Sequence, residues 1–263
     1  MLLTVIYTFL CFIAASQQPI IIPLDNFDQY KDTSDFFDTW TSRSDGYKKT
    51  LKENSYYYYI KEDAKDPKNK QLCSSLRQFP KDFIRQDLDA QNIKMVTDNT
   101  TQIPSVTIYK SYWGNSIKLG KKYHKEGKEA FLEWDWVVYK LPEGSDEYVL
   151  DLNDSAIAVY PIFNAGAWRF RSIKFIWSAT NHPQGIVPWT LKEKDVRYYI
   201  LENKNSELGV WKHESVNISK IIKEFLPERY DSIAFVAISV LANTANVKKS
   251  SAACVDNLEL ILK

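Results

Sequence analysis

The sequence is short of glycine and cysteine and carries almost no excess of either charge. Eight glycines among 263 residues exclude collagen-like and glycine-rich low-complexity chains. Lysine plus arginine number 34 against 33 aspartate plus glutamate, a formal charge of +1. Polyanion binding draws on a basic excess or a basic stripe. Here the lysines are interleaved with acids at 48–70, 118–128 and 192–204, so no nucleic-acid partner is expected. There is no His-Glu-x-x-His, no paired Cys-x-x-Cys, no Gly-x-Ser-x-Gly and no phosphate loop. His124, His182 and His213 are far apart in the chain, and no local motif asks for zinc or a Ser-His-Asp triad.

What is present is apolar and aromatic. Hydrophobic residues make up 44% and aromatics 14%, ample for a packed core and against general disorder. All-β sandwiches of this length are often single domains. No internal repeat or linker divides the chain, so one domain over residues 24–263 is expected.

Residues 2–15 form an uncharged apolar run ending in Ala14-Ala15-Ser16, small residues of the kind found at a signal-peptide cleavage site. The run is about 14 residues long, short of the roughly 20 that a spanning helix requires. Residues 1–16 therefore read as a signal peptide, with an uncleaved anchor as the alternative. The mature chain is expected to be secreted, periplasmic or in the cell envelope, without a stable membrane span. Of the three cysteines, Cys73 and Cys254 remain after that cleavage. Export allows them to bond, but a single pair is no disulfide framework, and two buried thiols is the reading favoured.

Strand signals dominate. Residues 56–60 are an aromatic β-prone run, and 131–138 alternate: Leu132, Trp134, Trp136 and Val138 face one way, Glu133, Asp135 and Val137 the other. Residues 156–163, 170–178, 196–201, 233–241 and 255–262 are further strand-length runs. Turn chemistry such as Pro142-Glu143-Gly144-Ser145 separates them. Only 219–225 reads as helix, with Ser219 as its N-cap and Pro227 ending it. The segment 63–101 has weak periodicity and yields no element. The pattern predicts an all-β fold: an antiparallel jelly-roll-like β-sandwich with one short helix.

Several stretches carry a resemblance. They are Glu133-Trp134-Asp135-Trp136-Val137-Val138, Leu141-Pro142-Glu143-Gly144-Ser145-Asp146, Asn153-Asp154-Ser155-Ala156 and Val159-Tyr160-Pro161-Ile162-Phe163. Together with Phe175-Ile176-Trp177-Ser178 and Gly209-Val210-Trp211 ahead of Glu214, the chain resembles the bacterial DUF3047 family over about residues 110–263. The resemblance implies an exported domain of unknown function, with a jelly-roll sandwich like that of carbohydrate-binding modules. Family members often carry Asp-Thr-Asp-Asn where this chain reads Leu241-Ala242-Asn243-Thr244-Ala245-Asn246, so no acidic ligand set is implied there.

Three constellations could carry chemistry. Glu133 and Asp135 share a strand face about 7 Å apart in rise, within the spacing that glycosidase carboxylates use, and Asp154 is a further catalytic candidate. The competing reading is an ion-paired strand face opposite a tryptophan core. Trp113, Trp168 and Trp189 fall near loops and are candidates for stacking on sugar rings, whose C–H faces suit aromatic faces. Trp134, Trp136 and Trp177 read as core. Arg169, Arg171 and Asp154 form the third set, suited to bidentate bonds with a hydroxylated or acidic sugar or to a structural ion pair. Asp25 or Asp28 with Asp256 are weak candidates for Ca²⁺ ligation; otherwise no cofactor is expected. The favoured function is non-catalytic binding of a polysaccharide or glycan. The alternatives are a glycan-active enzyme using paired carboxylates and a structural envelope protein that binds another protein.

Overall fold

The computed structural model describes residues 18–31, 35–36, 39–42, 58–62, 70–76, 106–112, 116–119, 129–164, 166, 170–193, 195–227, 230–244, 246–247 and 249–263. The signal-peptide reading of 1–16, Trp113, Trp168 and Arg169 lie outside the described residues.

Fourteen strands and one α-helix are described. In chain order they are β1 (Ile20–Asp25), β2 (Thr41–Ser42), β3 (Tyr58–Glu62), β4 (Lys70–Leu76), β5 (Val106–Ser111), β6 (Ile117–Lys118), β7 (Ala130–Lys140), β8 (Ser155–Asn164), β9 (Phe170–Trp177), β10 (Gly185–Ile186), β11 (Val196–Glu202), β12 (Lys212–Asn217), α1 (Ile218–Phe225), β13 (Ala234–Asn243) and β14 (Ser251–Leu262). They form two sheets. The six-stranded sheet runs β12-β7-β14-β4-β3, with β1 also paired to β14; the eight-stranded sheet runs β10-β11-β9-β8-β13-β5-β2, with β6 on β13. This is the expected sandwich with one difference: β9 and β11 are parallel, so the larger sheet is mixed. The segment between them holds β10 and a 3₁₀ turn at Pro188–Lys192. That gives the crossover length a parallel pair requires and a hairpin does not.

The alternation of β7 shows why the two sheets adhere. Leu132, Trp134, Trp136 and Val138 are fully buried because a strand sends every second side chain to one face. From the facing sheet, Phe175 and Trp177 of β9 meet them, with ring centroids 5.5 Å apart for Trp134–Phe175 and 5.6 Å for Trp136–Trp177. Truncating such a buried aromatic costs about 3–5 kcal/mol. Val137, on the opposite face, is also buried, because Cys73 and Cys254 cover it. These two cysteines stand directly opposite each other in β4 and β14 and are joined as a disulfide. The expectation of two free thiols is thereby corrected: register, which sequence does not reveal, sets their Cα atoms 4.0 Å apart.

The helix ends where predicted but begins one residue earlier, with a different cap. Asn217 accepts from Lys220 N–H at 2.8 Å, satisfying one of the first-turn donors. Ser219 instead accepts from Ala130 N–H at 2.9 Å, tying α1 to the start of β7. In the long strand β14, register shifts between Asp256 and Glu259, with Asn257 at φ 50, as at a β-bulge. On one edge, residues 251–255 pair with β4 and 258–262 with β1. Among the described residues no helix is long and apolar enough to cross a membrane.

Candidate functional site

Glu133 and Asp135 project from the outer face of β7, as the alternation predicts, onto a row of partners from neighbouring strands. Ser215 Oγ donates to Glu133 at 2.7 Å, and Lys263 Nζ lies 3.3 Å from the same oxygen. His213 Nδ1 is 2.8 Å from Asp135 Oδ1, and Asn257 Nδ2 donates to Asp135 Oδ2 at 2.8 Å. Both carboxylates are thus held in a hydrogen-bonded lattice spanning β12, β7 and β14.

The face of the eight-stranded sheet turned away from the tryptophan core is built differently. In β9 the core-facing Ile173, Phe175 and Trp177 alternate with Lys174 and Ile176, and in β11 Tyr199 and Leu201 alternate with Tyr198 and Ile200. Ala158, Ile176, Val187, Ile200 and Leu241 form a second apolar cluster there, against which the half-buried Tyr148, Tyr160, Trp189 and Tyr198 pack. Trp189 meets Tyr198 edge to face at 5.2 Å, and its indole N–H donates to the Glu147 carbonyl oxygen at 2.8 Å.

Residues 142–154 lay polar groups onto this face. The predicted turn is closed by Ser145 N–H donating to Pro142 O at 3.1 Å, with Gly144 at φ 84, the positive value that the third position of a type II turn requires. Ser145 Oγ and Asp146 N–H both donate to Leu152 O, folding the segment back on itself. Glu147 is fully buried; it accepts from Ser178 Oγ at 2.5 Å and from Ala179 N–H at 3.3 Å. Burial pushes its carboxyl up, against the lowering effect of those donors and of Lys174. Beside it, His182 stacks on Tyr148 at 3.7 Å and bonds Asp146 at 2.7 Å. Burial works to raise Asp146, but the bonds from His182 and Tyr148 N–H outweigh it and hold the carboxyl below its usual range.

Lys174 lies at the centre, 3% exposed, with its ammonium 4.5 Å from the Tyr198 ring centroid. Burial pushes it down to about 8, opposed by the attraction of Glu147 and Asp154. Asp154 is fully buried, and burial likewise raises it, against the backbone N–H groups of Val247 and Asn246.

Of the residues singled out from sequence, Trp189 packs on this face, and Asp154 is buried just before β8, bonded by Asn246 and Val247 N–H. Arg171 does not join Trp189: it is in register with core-facing Phe163 and pairs with Asp195 at 2.6 Å, the structural role weighed against ligand binding. Glu133 and Asp135 lie on the outer face of the other sheet. Asp25, a weak candidate for Ca²⁺ with Asp256, is engaged by its own neighbours. Phe27 N–H and Gln29 donate to its Oδ1, and Tyr30, Trp40 and Lys110 to its Oδ2, which leaves little acceptor capacity for a hard cation. Among the described residues no group of three or more His, Cys, Asp or Glu is placed to hold a metal ion. Glu147, Lys174 and Tyr198 were missed, because a lysine at an outward strand position reads as solvated until a distant segment covers it. The two flanking tyrosines, Tyr160 and Tyr198, were the available signal.

Fold and faces define a jelly-roll-like β-sandwich protein. Within that class, the chain belongs to the DUF3047 family, described as a protein of unknown function, whose model matches residues 110–259. No curated protein matches it in sequence. Among solved structures it is similar to a family 12 xyloglucanase from Bacillus licheniformis, with a TM-score of 0.40, 7% identity, and coverage of 94% of this chain and 100% of that one. It is also similar to the xyloglucanase domain of NopAA, a type three effector from Sinorhizobium fredii in complex with cellobiose, with a TM-score of 0.37, 10% identity, and coverage of 85% and 95%. Likenesses this distant carry no argument about function.

Proposed function

We propose that this DUF3047 protein is exported and binds a polysaccharide or glycan without cleaving it, on the face formed by β8, β9, β11 and β13. The observation that carries this reading is the set of half-buried rings, Tyr148, Tyr160, Trp189 and Tyr198, gathered on one apolar patch around buried polar groups. Sugar rings stack their C–H faces on such aromatics, and a few aligned polar groups fix orientation. Export rests on the uncharged apolar start and Ala14-Ala15-Ser16.

A glycan array followed by calorimetry of the strongest ligand, with reducing ends assayed in parallel, tests the binding reading. Binding without new reducing ends is expected, weakened at least about tenfold by Trp189→Ala, since loss of an aromatic anchor commonly exceeds 1 kcal/mol. New reducing ends would support the enzyme alternative; an array without any binder would leave the protein-binding alternative. Amino-terminal sequencing of material recovered outside the cytoplasm tests export, with a start near Gln17 expected and an intact Met1 on a membrane-embedded species overturning it.

A further inference from the structure

At the border of the aromatic patch an imidazole is held with one ring nitrogen bonded and the other free. His182 Nε2 lies 2.7 Å from Asp146 Oδ1, the oxygen that also accepts from Tyr148 N–H at 2.9 Å. These bonds hold the Asp146 carboxyl below its usual range. It is therefore an ionised group that only accepts, and the hydrogen between the two side chains belongs to Nε2. Nδ1 is the remaining position, and among the described residues no hydrogen bond or ion pair reaches it. The His182 and Asp146 side chains are 25% and 31% exposed, so a ligand has access to the pair. Tyr148 stacks on the ring at 3.7 Å and packs on the same apolar cluster as Trp189, whose indole N–H bonds the carbonyl of Glu147, the residue before Tyr148.

Protonation changes what this pair offers. With the imidazole neutral, the pair is negative and Nδ1 accepts; with the imidazole protonated, the pair is neutral overall and Nδ1–H donates from a cation. A sugar hydroxyl both donates and accepts, so it is served in either state. A carboxylate only accepts: the first state offers it no donor and repels it through Asp146, and the second bonds it. We propose that Asp146 and His182 form a proton-gated subsite, which takes a sugar hydroxyl at neutral pH and admits the carboxylate of a uronic acid on acidification. In direct contact with His182 are Asp146 and Tyr148. The other titratable groups on the elements packed against its loop are Glu147, buried against Ser178, and Glu202 and Lys204, whose backbones bond Ser178 and Thr180. This inference rests on the glycan-binding reading and names the sugar class that the face takes at each pH.

The test is calorimetry of the full chain with cellotetraose, mannotetraose and trigalacturonate at about pH 5.5 and about pH 7.5, within the range where imidazole changes charge. Trigalacturonate, ionised at both, is expected to bind about tenfold or more tighter at the lower pH, as a hydrogen bond to a charged group allows. The neutral oligosaccharides should change little. Lys174, pushed down to about 8, stays largely charged over this span. Asp256 and Glu214, on the other sheet, are each pushed up to about 7 and titrate within it. His182→Gln keeps a polar side chain that does not titrate, and should abolish the pH dependence; dependence that survives it belongs to another group and overturns the inference. Asp146→Asn keeps an oxygen for Tyr148 N–H and removes the charge that favours the imidazolium, so the midpoint of the trigalacturonate profile should move to lower pH. A purely structural His182 shows no such movement, and this second variant serves if His182→Gln does not fold. Neutral binding with trigalacturonate bound no tighter at pH 5.5 than at pH 7.5 overturns the inference alone. Absence of binding to all three at both pH values removes the glycan reading for these sugars, and this inference with it.

Discussion

Lys174 Nζ stands 4.5 Å from the centroid of the Tyr198 ring, a cation held over an aromatic face in a position that is 3% exposed. Cation–π attraction offsets part of the desolvation of an ammonium, and burial still pushes Lys174 down to about 8 from its ordinary 10.5. Between those two values the folded chain binds fewer protons at this site than the unfolded chain, so its contribution to stability rises with pH across the window. The stability difference between wild type and Lys174→Met should therefore shift in favour of wild type by about 1–2 kcal/mol from pH 8 to pH 10. Urea denaturation of both proteins at several pH values measures it; a difference that stays flat would contradict the burial of a charged lysine. Taking the difference cancels the titration of groups that do not touch Lys174.

Asp256 produces the opposite slope at lower pH. It sits at the β14 bulge, and its carboxyl is pushed up to about 7, first by burial and then by Asp28, Asp135 and Asp25, against the lowering bond from Asn257 N–H. Glu214, which accepts from the Trp136 indole N–H at 3.0 Å, is also pushed up to about 7, by burial and then by Glu202. Both folded values exceed the ordinary 3.8 and 4.5. The folded state holds more protons between about pH 4 and pH 7, so this stabilisation is present below the window and lost as pH rises through it. Asp256→Asn should raise stability at pH 7.5 by about 1 kcal/mol after allowance for solvent screening, and should flatten the fall between pH 5 and pH 7.5. Thermal melts at the two pH values check this, and a variant destabilised at pH 7.5 would count against it.

The disulfide ties the middle of the chain to its last strand. Cys73 and Cys254 are 181 residues apart, and closing a loop that long restricts the unfolded chain by about 3–5 kcal/mol in the chain-entropy view. The double substitution Cys73→Ala/Cys254→Ala should lower stability by roughly 2–5 kcal/mol while leaving the β7 alternation intact. Denaturation of the variant beside oxidised and reduced wild type tests this. Equal stability of all three would mean the bridge contributes nothing measurable.

How legible these features were depended on how local they are. The alternation of 131–138 gave the buried face of β7 directly, because strand periodicity is written in successive residues. The cap of α1 was misread by two positions: Ser219 has the right chemistry for a cap, yet its hydroxyl is taken by Ala130 N–H, a partner remote in sequence. Strands β1, β2, β4, β5, β6, β10 and β12 fall outside the predicted runs; β12, reading Lys-His-Glu-Ser-Val-Asn, alternates polar residues and draws its strand character from pairing with β7. Register governs the rest. It joins Cys73 to Cys254, and with the chain's topology, which makes β9 and β11 parallel, it is encoded in no short window of sequence. Trp189 was singled out as a loop aromatic; its indole is anchored to the Glu147 carbonyl, so its position depends on a segment 42 residues away.

Glu133 separates the binding and enzyme readings, because it lies on the opposite sheet from Trp189 and Lys174. Its carboxylate accepts from Ser215 Oγ at 2.7 Å, with Lys263 Nζ at 3.3 Å and His213 Nε2 at 3.8 Å. Glu133→Gln keeps the shape and an oxygen for Ser215, and removes one charge from an exposed polar lattice. Surface pairs of this kind contribute about 0–1 kcal/mol, so stability should change by about 1 kcal/mol or less. Under the binding reading, affinity for the array's best glycan is also unchanged, since the ligand sits on the other face. An enzyme using Glu133 as acid, base or nucleophile behaves otherwise: the amide can neither give nor take the proton, so hydrolysis falls by orders of magnitude while substrate still binds. Calorimetry and reducing-sugar release on wild type, Glu133→Gln and Trp189→Ala distinguish the two. Loss of affinity in Trp189→Ala with none in Glu133→Gln is the expected result, whereas wild-type turnover abolished by Glu133→Gln would move the site to the β7 face and end the non-catalytic reading.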